Sequence, residues 1–468
     1  MTTLHSVRPL AALALCAGCG FASYEAEPLE PEQTLAAAAA ARAAPPPPEG
    51  ALDLAHAVRW LRERNPRVRA SVAAYEEALA EARAGVPLPN PELSLGPSFG
   101  IGPDIVRRAI VPFAALGLTI PLAGAREARH EQLVAAAEVA RVDAVLAFRD
   151  AWLELRARWC EVALARARRA LQAELVESAA RAHEAARRLV DAGGAGGAEV
   201  ALLALAHARA ASDLAAAEQD VAGAVAALAA LVDVDAGLLA SMEPGDVPDP
   251  GELPALADLQ AELPGHHPEL VRGAAAYLAA ERALRAEVAA QYPDLGFAPS
   301  YEGEVNERYG VLTLPVGIEL PLFARNQAGV ARASAARARA RVEYEAACSR
   351  ALAELARARA AVAFADHRVR ELRERVLPLA ERSVDLAERA LASGSGAALD
   401  VLQARAAAAA ARLDVHEAER ERLAAWFALE RACGRPLLSV GGEPVDLPEP
   451  PGVLHDTGCA AAHAEDER

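Results

Sequence analysis

Lysine is absent: all 48 basic residues of the 468-residue chain are arginine, a bias that reads as codon usage rather than function. Aromatic residues make up only 4%, and phenylalanine appears 8 times, which excludes a thick αβ core built from large side chains. Two methionines, Met1 included, leave no methionine ladder for copper(I). Past the N-terminus no uninterrupted run reaches the roughly 18 apolar residues of a membrane helix, and on that count a helical span is excluded. Nothing in the chain has the pattern of a catalytic triad, a phosphate loop or a zinc motif, so neither an enzyme nor a resident cofactor is expected. Net charge is −17, which speaks against nucleic acid as a partner and favours cations. What is abundant is alanine, within a hydrophobic fraction of 53%. Alanine is the best helix former and a poor core filler, so the composition points to long, closely packed helices.

The first residues read as an address. Residues 1–18 carry Arg8 and a short apolar run from Leu10 to Leu15, the proportions of a signal peptide. The run ends in Ala17-Gly18-Cys19, which resembles a bacterial lipoprotein cleavage site. It implies a covalent lipid on Cys19, although Cys16 stands where the pattern usually has leucine. Gly20 in place of aspartate implies retention in the outer membrane. A plain secretory signal with an incidental cysteine is the alternative. Residues 19–51, with alanines at 36–41 and prolines at 45–48, read as a low-complexity tether. Cys160, Cys348, Cys433 and Cys459 include no closely spaced pair and form no disulfide framework.

The chain repeats itself once, at a period of about 200 residues. Asn65-Pro66 is matched by His267-Pro268, Tyr75 by Tyr277, Pro91-Glu92-Leu93 by Pro293-Asp294-Leu295, and Ile120-Pro121-Leu122 by Leu320-Pro321-Leu322. Gly193 recurs as Gly394, and Glu199-Val200 as Asp400-Val401. The repeats are expected at 52–240 and 255–436, joined by a linker at 241–254 and followed by a flexible tail at 437–468. Each half reads as two short helices (52–64 and 67–86; 255–262 and 269–290), two alternating segments, a very long helical stretch (124–191; 326–392), a glycine-rich break and a closing helix (198–231; 397–433).

The alternating segments have a period of two. Leu93, Leu95, Phe99 and Ile101 alternate with Ser94, Gly96, Ser98 and Gly100, and Leu116, Leu118 and Ile120 enclose Gly117 and Thr119. In the second half, Leu295, Phe297 and Tyr301 form one face, as do Leu312, Leu314, Val316, Ile318 and Leu320. Such segments are strands with one apolar and one small or polar face. A length of about ten residues suits a tilted membrane strand. A soluble hairpin packed on the helices has the same pattern. Export and the smallness of the polar face favour the membrane. One chain then supplies four strands where a closed membrane barrel needs at least eight, so several copies must share a barrel.

On these residues the sequence resembles the TolC-type outer-membrane efflux channels from residue 52 to about 436. The resemblance rests on the duplicated plan, on Pro89-Asn90-Pro91-Glu92-Leu93-Ser94, on Leu320-Pro321-Leu322-Phe323-Ala324-Arg325-Asn326-Gln327, and on Gly394 followed by Leu399-Asp400-Val401-Leu402. The second run looks like the branch serving resistance–nodulation–division pumps for heavy-metal cations. The fold implied is mainly α with a small transmembrane β part. It is a homotrimer with a twelve-stranded barrel in the outer membrane and a twelve-helix tunnel in the periplasm. The partners implied are a periplasmic adaptor and an inner-membrane pump, with this chain as a passive duct for heavy-metal cations or drugs.

The resemblance also implies sites. Gly193, Gly194, Gly196 and Gly197, with Gly394 and Gly396, would form hairpin tips that touch the adaptor; any helical hairpin also needs such turns. Asp400 matches an aspartate lining the periplasmic constriction, and Glu199 is its equivalent in the first half. Gln403 replaces the family's second aspartate and Gly396 its tip arginine, so a closed-state latch would differ here. Asp400 and Glu199 also suit a helix N-terminus by charge alone. Glu302 and Glu319 fall on the polar strand face and would line the barrel lumen; Tyr301, Phe297 and Phe99 fall on the other face, where an interfacial aromatic girdle would lie. In the tail, His455, Cys459 and His463 would share a helical face and suit a soft metal, but Gly458 and prolines 448, 450 and 451 argue for disorder. No metal site is assigned. Two other functions share these features: a type I secretion exit channel, and a lipid-anchored periplasmic coiled-coil scaffold.

Overall fold

The computed structural model describes residues 22–43, 53–99, 110–191, 197–240, 247–303, 310–393, 395 and 398–440. The expected signal segment, Cys19, most of the expected tip glycines and the tail with His455, Cys459 and His463 lie outside them. The chain divides into two units, Met1–Pro46 and Pro47–Arg468. The first holds one helix, α1 (Pro31–Arg42), started by Pro31 and carried by its alanine run, with no buried residue.

The second unit follows the duplicated plan. Its first half is α2 (Leu54–Arg64), α3 (Pro66–Ala84), strands β1 (Glu92–Phe99) and β2 (Ile110–Ile120), the long α4 (Ala125–Asp191), α5 (Gly197–Val232) and the short α6 (Ala236–Ala240). The second half is α7 (Leu256–His266), α8 (Pro268–Ala289), β3 (Leu295–Phe297), β4 (Ser300–Gly303), β5 (Gly310–Thr313), β6 (Val316–Ile318), α9 (Gln327–Glu371), α10 (Leu377–Ala392) and α11 (Ala398–Cys433).

Proline and caps explain the boundaries. Asp53 caps α2 by accepting from the His56 N–H at 2.9 Å. Asn65 caps α3 by accepting from Arg67 N–H and Val68 N–H at 2.9 and 3.1 Å. It also donates to the Leu231 carbonyl at 2.7 Å, tying α3 to the end of α5. Its counterpart His267 starts α8 without a side-chain cap. α4 contains no proline and runs unbroken for 67 residues, about 100 Å. The equivalent stretch is interrupted by a π-helical turn at Leu372–Val376 just before Pro378. Proline lacks the N–H and crowds the preceding turn, and the widened turn accommodates both defects.

Both halves contribute to one core. Trp152 and Trp159 of α4, Leu228 and Val232 of α5, Leu355 and Val362 of α9, and Trp426 of α11 lie in the same buried cluster. Leu54 and Leu61 of α2 and Leu259 and Leu263 of α7 join it from the short helices. The ordered chain continues past residue 436, because Leu438 and Val440 are buried in this cluster. Within it the Arg156 guanidinium donates to Glu430 at 2.5 Å, with neither side chain exposed. Glu430 also accepts from the N–H groups of Leu437 and Leu438, each at 2.7 Å, and Arg156 donates to the Leu438 carbonyl.

One expectation is corrected. By length and composition α5 is apolar enough over Val200–Val232 to cross a membrane, although no uninterrupted apolar run exists there. Alanine raises its hydropathy without making it lipid-facing. Its Asp220 pairs with Arg168 at 2.6 Å and its Glu218 with Arg169 at 3.7 Å, both to α4 and both exposed. It is one arm of a helical hairpin.

Candidate functional site

The strands form one antiparallel sheet. β1 pairs with β2; β2 pairs with β3 and β4 on its other edge; β3 pairs with β6 and β4 with β5. The register of β2 runs without slip through β3 and β4, from Ile120 opposite Leu295 to Phe113 opposite Glu302. β6 and β5 continue equally, from Ile318 opposite Leu295 to Gly310 opposite Gly303. The six segments are therefore four strands, two of them interrupted at Pro299 and Pro315. The Pro299 carbonyl accepts from Leu116 N–H at 2.9 Å, and that of Pro315 from Ala298 N–H at 3.2 Å, so the ladder carries through both interruptions.

This register sorts the side chains. Leu95, Ala114, Tyr301 and Leu312 form one cross-strand row. Leu118, Phe297 and Val316, then Ile120, Leu295 and Ile318, continue the same face. The opposite face carries Ser94, Ala115, Ser300 and Thr313, then Thr119, Gly296 and Gly317. Glu302 falls on this second face as expected, between Phe113 and Val311, so the polar face is less uniformly small than the alternation implied. Glu319 lies one residue beyond β6, exposed. The Phe99 side chain lies outside the described residues. The Tyr301 ring also lies over Gly310, where an added Cβ would come within 2.5 Å of it.

Among the described residues much of the apolar face is uncovered, although Leu118, Leu295 and Phe297 are half-buried. Leu95 is 69% exposed, Leu312 65% and Val316 67%. Among the described strands, β1 and the β5–β6 line each have one edge without a strand partner. In a water-soluble protein such a face and such edges invite aggregation.

At the other end of the helices lie the hairpin turns. Gly197 opens α5, while Gly193, Gly194, Gly196, Gly394 and Gly396 lie outside the described residues. Asp400 stands in the first turn of α11 and is exposed. Gln403, one turn on, is also exposed, while Val401 and Ala404 face inward and are buried. Glu199 stands in the first turn of α5, its side chain outside the described residues. The structure thus puts Asp400 and Gln403 on one exposed helix face. Ser393 Oγ donates to the Ala390 carbonyl at 3.0 Å and Ser395 N–H to the same carbonyl at 2.9 Å, closing α10. Glu388 of α10 accepts from Arg405 of α11 at 2.7 Å, and Glu381 from Arg412 at 3.2 Å.

Between the two hairpins runs a groove of about 1030 Å³, lined among others by Glu174, Leu202, Asp213, Glu388, Gln403 and Arg405. Neither the groove nor these ion pairs was legible in the sequence, because they depend on how two distant hairpins meet. Arg156 did leave a signal: it shares a helical face with Trp152 and Trp159, an apolar face on which arginine is unexpected. Among the described residues no group of three or more His, Cys, Asp or Glu is placed to hold a metal.

The exposed apolar sheet with its open edges is thus carried on paired long helical hairpins. Residues 261–435 match the family described as outer membrane efflux protein. Among solved structures, VceC, an outer membrane protein of Vibrio cholerae, is similar with a TM-score of 0.66 and 17% identity, over 82% of this chain and 96% of that one. CusC is similar with a TM-score of 0.67 and 18% identity, over 82% and 93%. The open-state MtrE outer membrane channel of Neisseria gonorrhoeae gives 0.63 and 20%, over 82% and 89%. At these identities the likeness is one of fold. No curated protein matches the chain by sequence. The family match falls within the second repeat, and the solved structures share the fold over most of the chain, in line with the resemblance read from its motifs. Proteins of that family are transport ducts rather than enzymes.

Proposed function

We propose that this chain is one subunit of a homotrimeric outer-membrane duct, the passive exit of a tripartite efflux system fed by an inner-membrane pump through a periplasmic adaptor. The observation that carries the reading is the four-stranded sheet with its largely uncovered apolar face and two unpaired edges. Unsatisfied strand edges are untenable in lipid, so the sheet must close on copies of itself. Two chains would give eight strands, whose bore side chains fill, whereas three give twelve and an open lumen. The helical hairpins would then line a twelve-helix periplasmic tunnel. Residues 1–18 would be removed on export, and Cys19 would bear a lipid at the head of the 19–51 tether. The repeats at 52–240 and 255–436 form the duct, joined by the 241–254 linker, with the tail after them.

Glu302 and Glu319 would line the lumen. Asp400 and Glu199, with Gln403 a turn on, would form the acidic constriction at the glycine tips where the adaptor docks. Net charge and these carboxylates support cationic cargo, with heavy-metal cations or drugs as the substrates. The test is electrical. Purified protein added to a planar bilayer should open discrete, cation-selective conductances. Protein that binds the bilayer without opening conductances would overturn the reading.

A further inference from the structure

His183 of α4 and His207 of α5 face each other across the first hairpin. Their ring centroids are 6.3 Å apart, with the planes 29° from parallel. Both side chains are half-buried. Among the described residues neither ring has a hydrogen bond or ion pair to the protein, and the ring nitrogens remain open to solvent. Most residues a turn away are alanine (Ala179, Ala180, Ala186, Ala204, Ala210 and Ala211), with the buried Leu203 and with Arg187 as the exceptions. Neither histidine is needed for helix propensity, since alanine fills most comparable positions nearby. Neither belongs to the constriction or to the sheet.

We infer that His183 and His207 form a two-histidine site for a borderline divalent cation such as Zn²⁺ or Cu²⁺, with water completing the coordination. Imidazole is the preferred ligand for these ions, at metal–nitrogen distances of about 2.0–2.1 Å for zinc. Two such bonds and the two ring radii span the observed separation once the rings rotate about their Cβ–Cγ bonds, a torsion that is broad for histidine. The ligands come from two antiparallel helices, so a bound ion clips α4 to α5 a few turns short of their tip. It would stiffen the hairpin without touching the sheet. This inference rests on the ring pair alone and stands whether or not the chain conducts cations.

The test uses the full-length protein in detergent micelles, dialysed against Zn²⁺ with Mg²⁺ in excess. The wild type should retain one more zinc per chain than either H183Q or H207Q, while H56Q should match the wild type. Loaded with Cu²⁺, the wild type should show superhyperfine coupling from two imidazole nitrogens at this site, and each single variant should lose it. Zinc should also slow amide exchange in the α4 and α5 turns around His183 and His207. Unchanged circular dichroism in the glutamine variants excludes misfolding as the cause. Equal zinc content in wild type and both variants would overturn the inference.

Discussion

Arg156 of α4 and Glu430 of α11 form an ion pair at 2.5 Å with both side chains wholly withdrawn from solvent. The guanidinium also lies 5.1 Å from the centroid of the Trp152 ring and 5.9 Å from that of Phe427, so its charge is met on several sides. The pair fastens the end of the second repeat to the long helix of the first. Removing one member leaves an uncompensated buried charge, a cost of about 3–5 kcal/mol. R156A and E430A should each lower the thermal midpoint sharply. The double apolar variant R156M/E430L should recover only part of the loss in circular dichroism melts, because the N–H groups of Leu437 and Leu438 then lose their acceptor.

Gly434 follows α11 with φ +74°, and a Cβ there would lie 2.0 Å from the His266 carbonyl oxygen. Backbone cannot yield as a flexible side chain can, and the conformation itself costs a residue with a Cβ about 1–3 kcal/mol. G434A should therefore reduce the yield of folded protein severely. G251A, at a site with nothing within 4 Å, should be neutral in the same melt.

His267 is buried, and burial pushes its pKa below the ordinary value of 6.5 against the pull of Glu354, Glu269 and Asp150. The unfolded chain therefore takes up this proton more readily than the folded one. The stability this group contributes is complete above pH 6.5 and falls as the pH drops from there through its folded pKa. Asp150, raised by burial despite Arg149, Arg67 and Arg431, works in the opposite sense, but only lower, in the carboxylate range. The thermal midpoint should decline between pH 7 and 5, and H267Q should flatten that decline.

Cys433 is buried, which raises its thiol to about 11. The thiolate is the nucleophile, so at pH 8 this residue should resist iodoacetamide. Cys348, half-buried, should react before Cys433, and mass spectrometry of tryptic peptides will rank the two.

Much of this was legible because it rests on local rules. The matched Asn65-Pro66 and His267-Pro268 pairs marked helix starts, and the period-two segments around Leu93, Leu118, Leu295 and Ile318 marked strands whose observed register keeps the expected faces. Pro299 and Pro315 broke two strands into four segments without shifting that register, since neighbouring carbonyls still found donors. Pairing between distant helices was not legible. Arg156 with Glu430, His183 with His207 and the groove between the hairpins are products of packing, and only the misplaced arginine among the tryptophans signalled any of them. The apolar composition of α5 is likewise masked in the sequence, because scattered Glu218 and Asp220 interrupt an alanine-rich stretch.

The proposed constriction makes a separate prediction. D400A combined with E199A should reduce the cation-to-anion permeability ratio of the reconstituted protein severalfold while conductance persists. Unchanged selectivity would remove the acidic ring from the account.

The most direct measurement is the native mass of the protein extracted from outer membranes in mild detergent. Three chains per particle, stable until heated, is the predicted result, since among the described residues the edges of β1 and β5–β6 have no strand partner within the chain. A single chain that stays folded and leaves the membrane in plain buffer once Cys19 is replaced would contradict it.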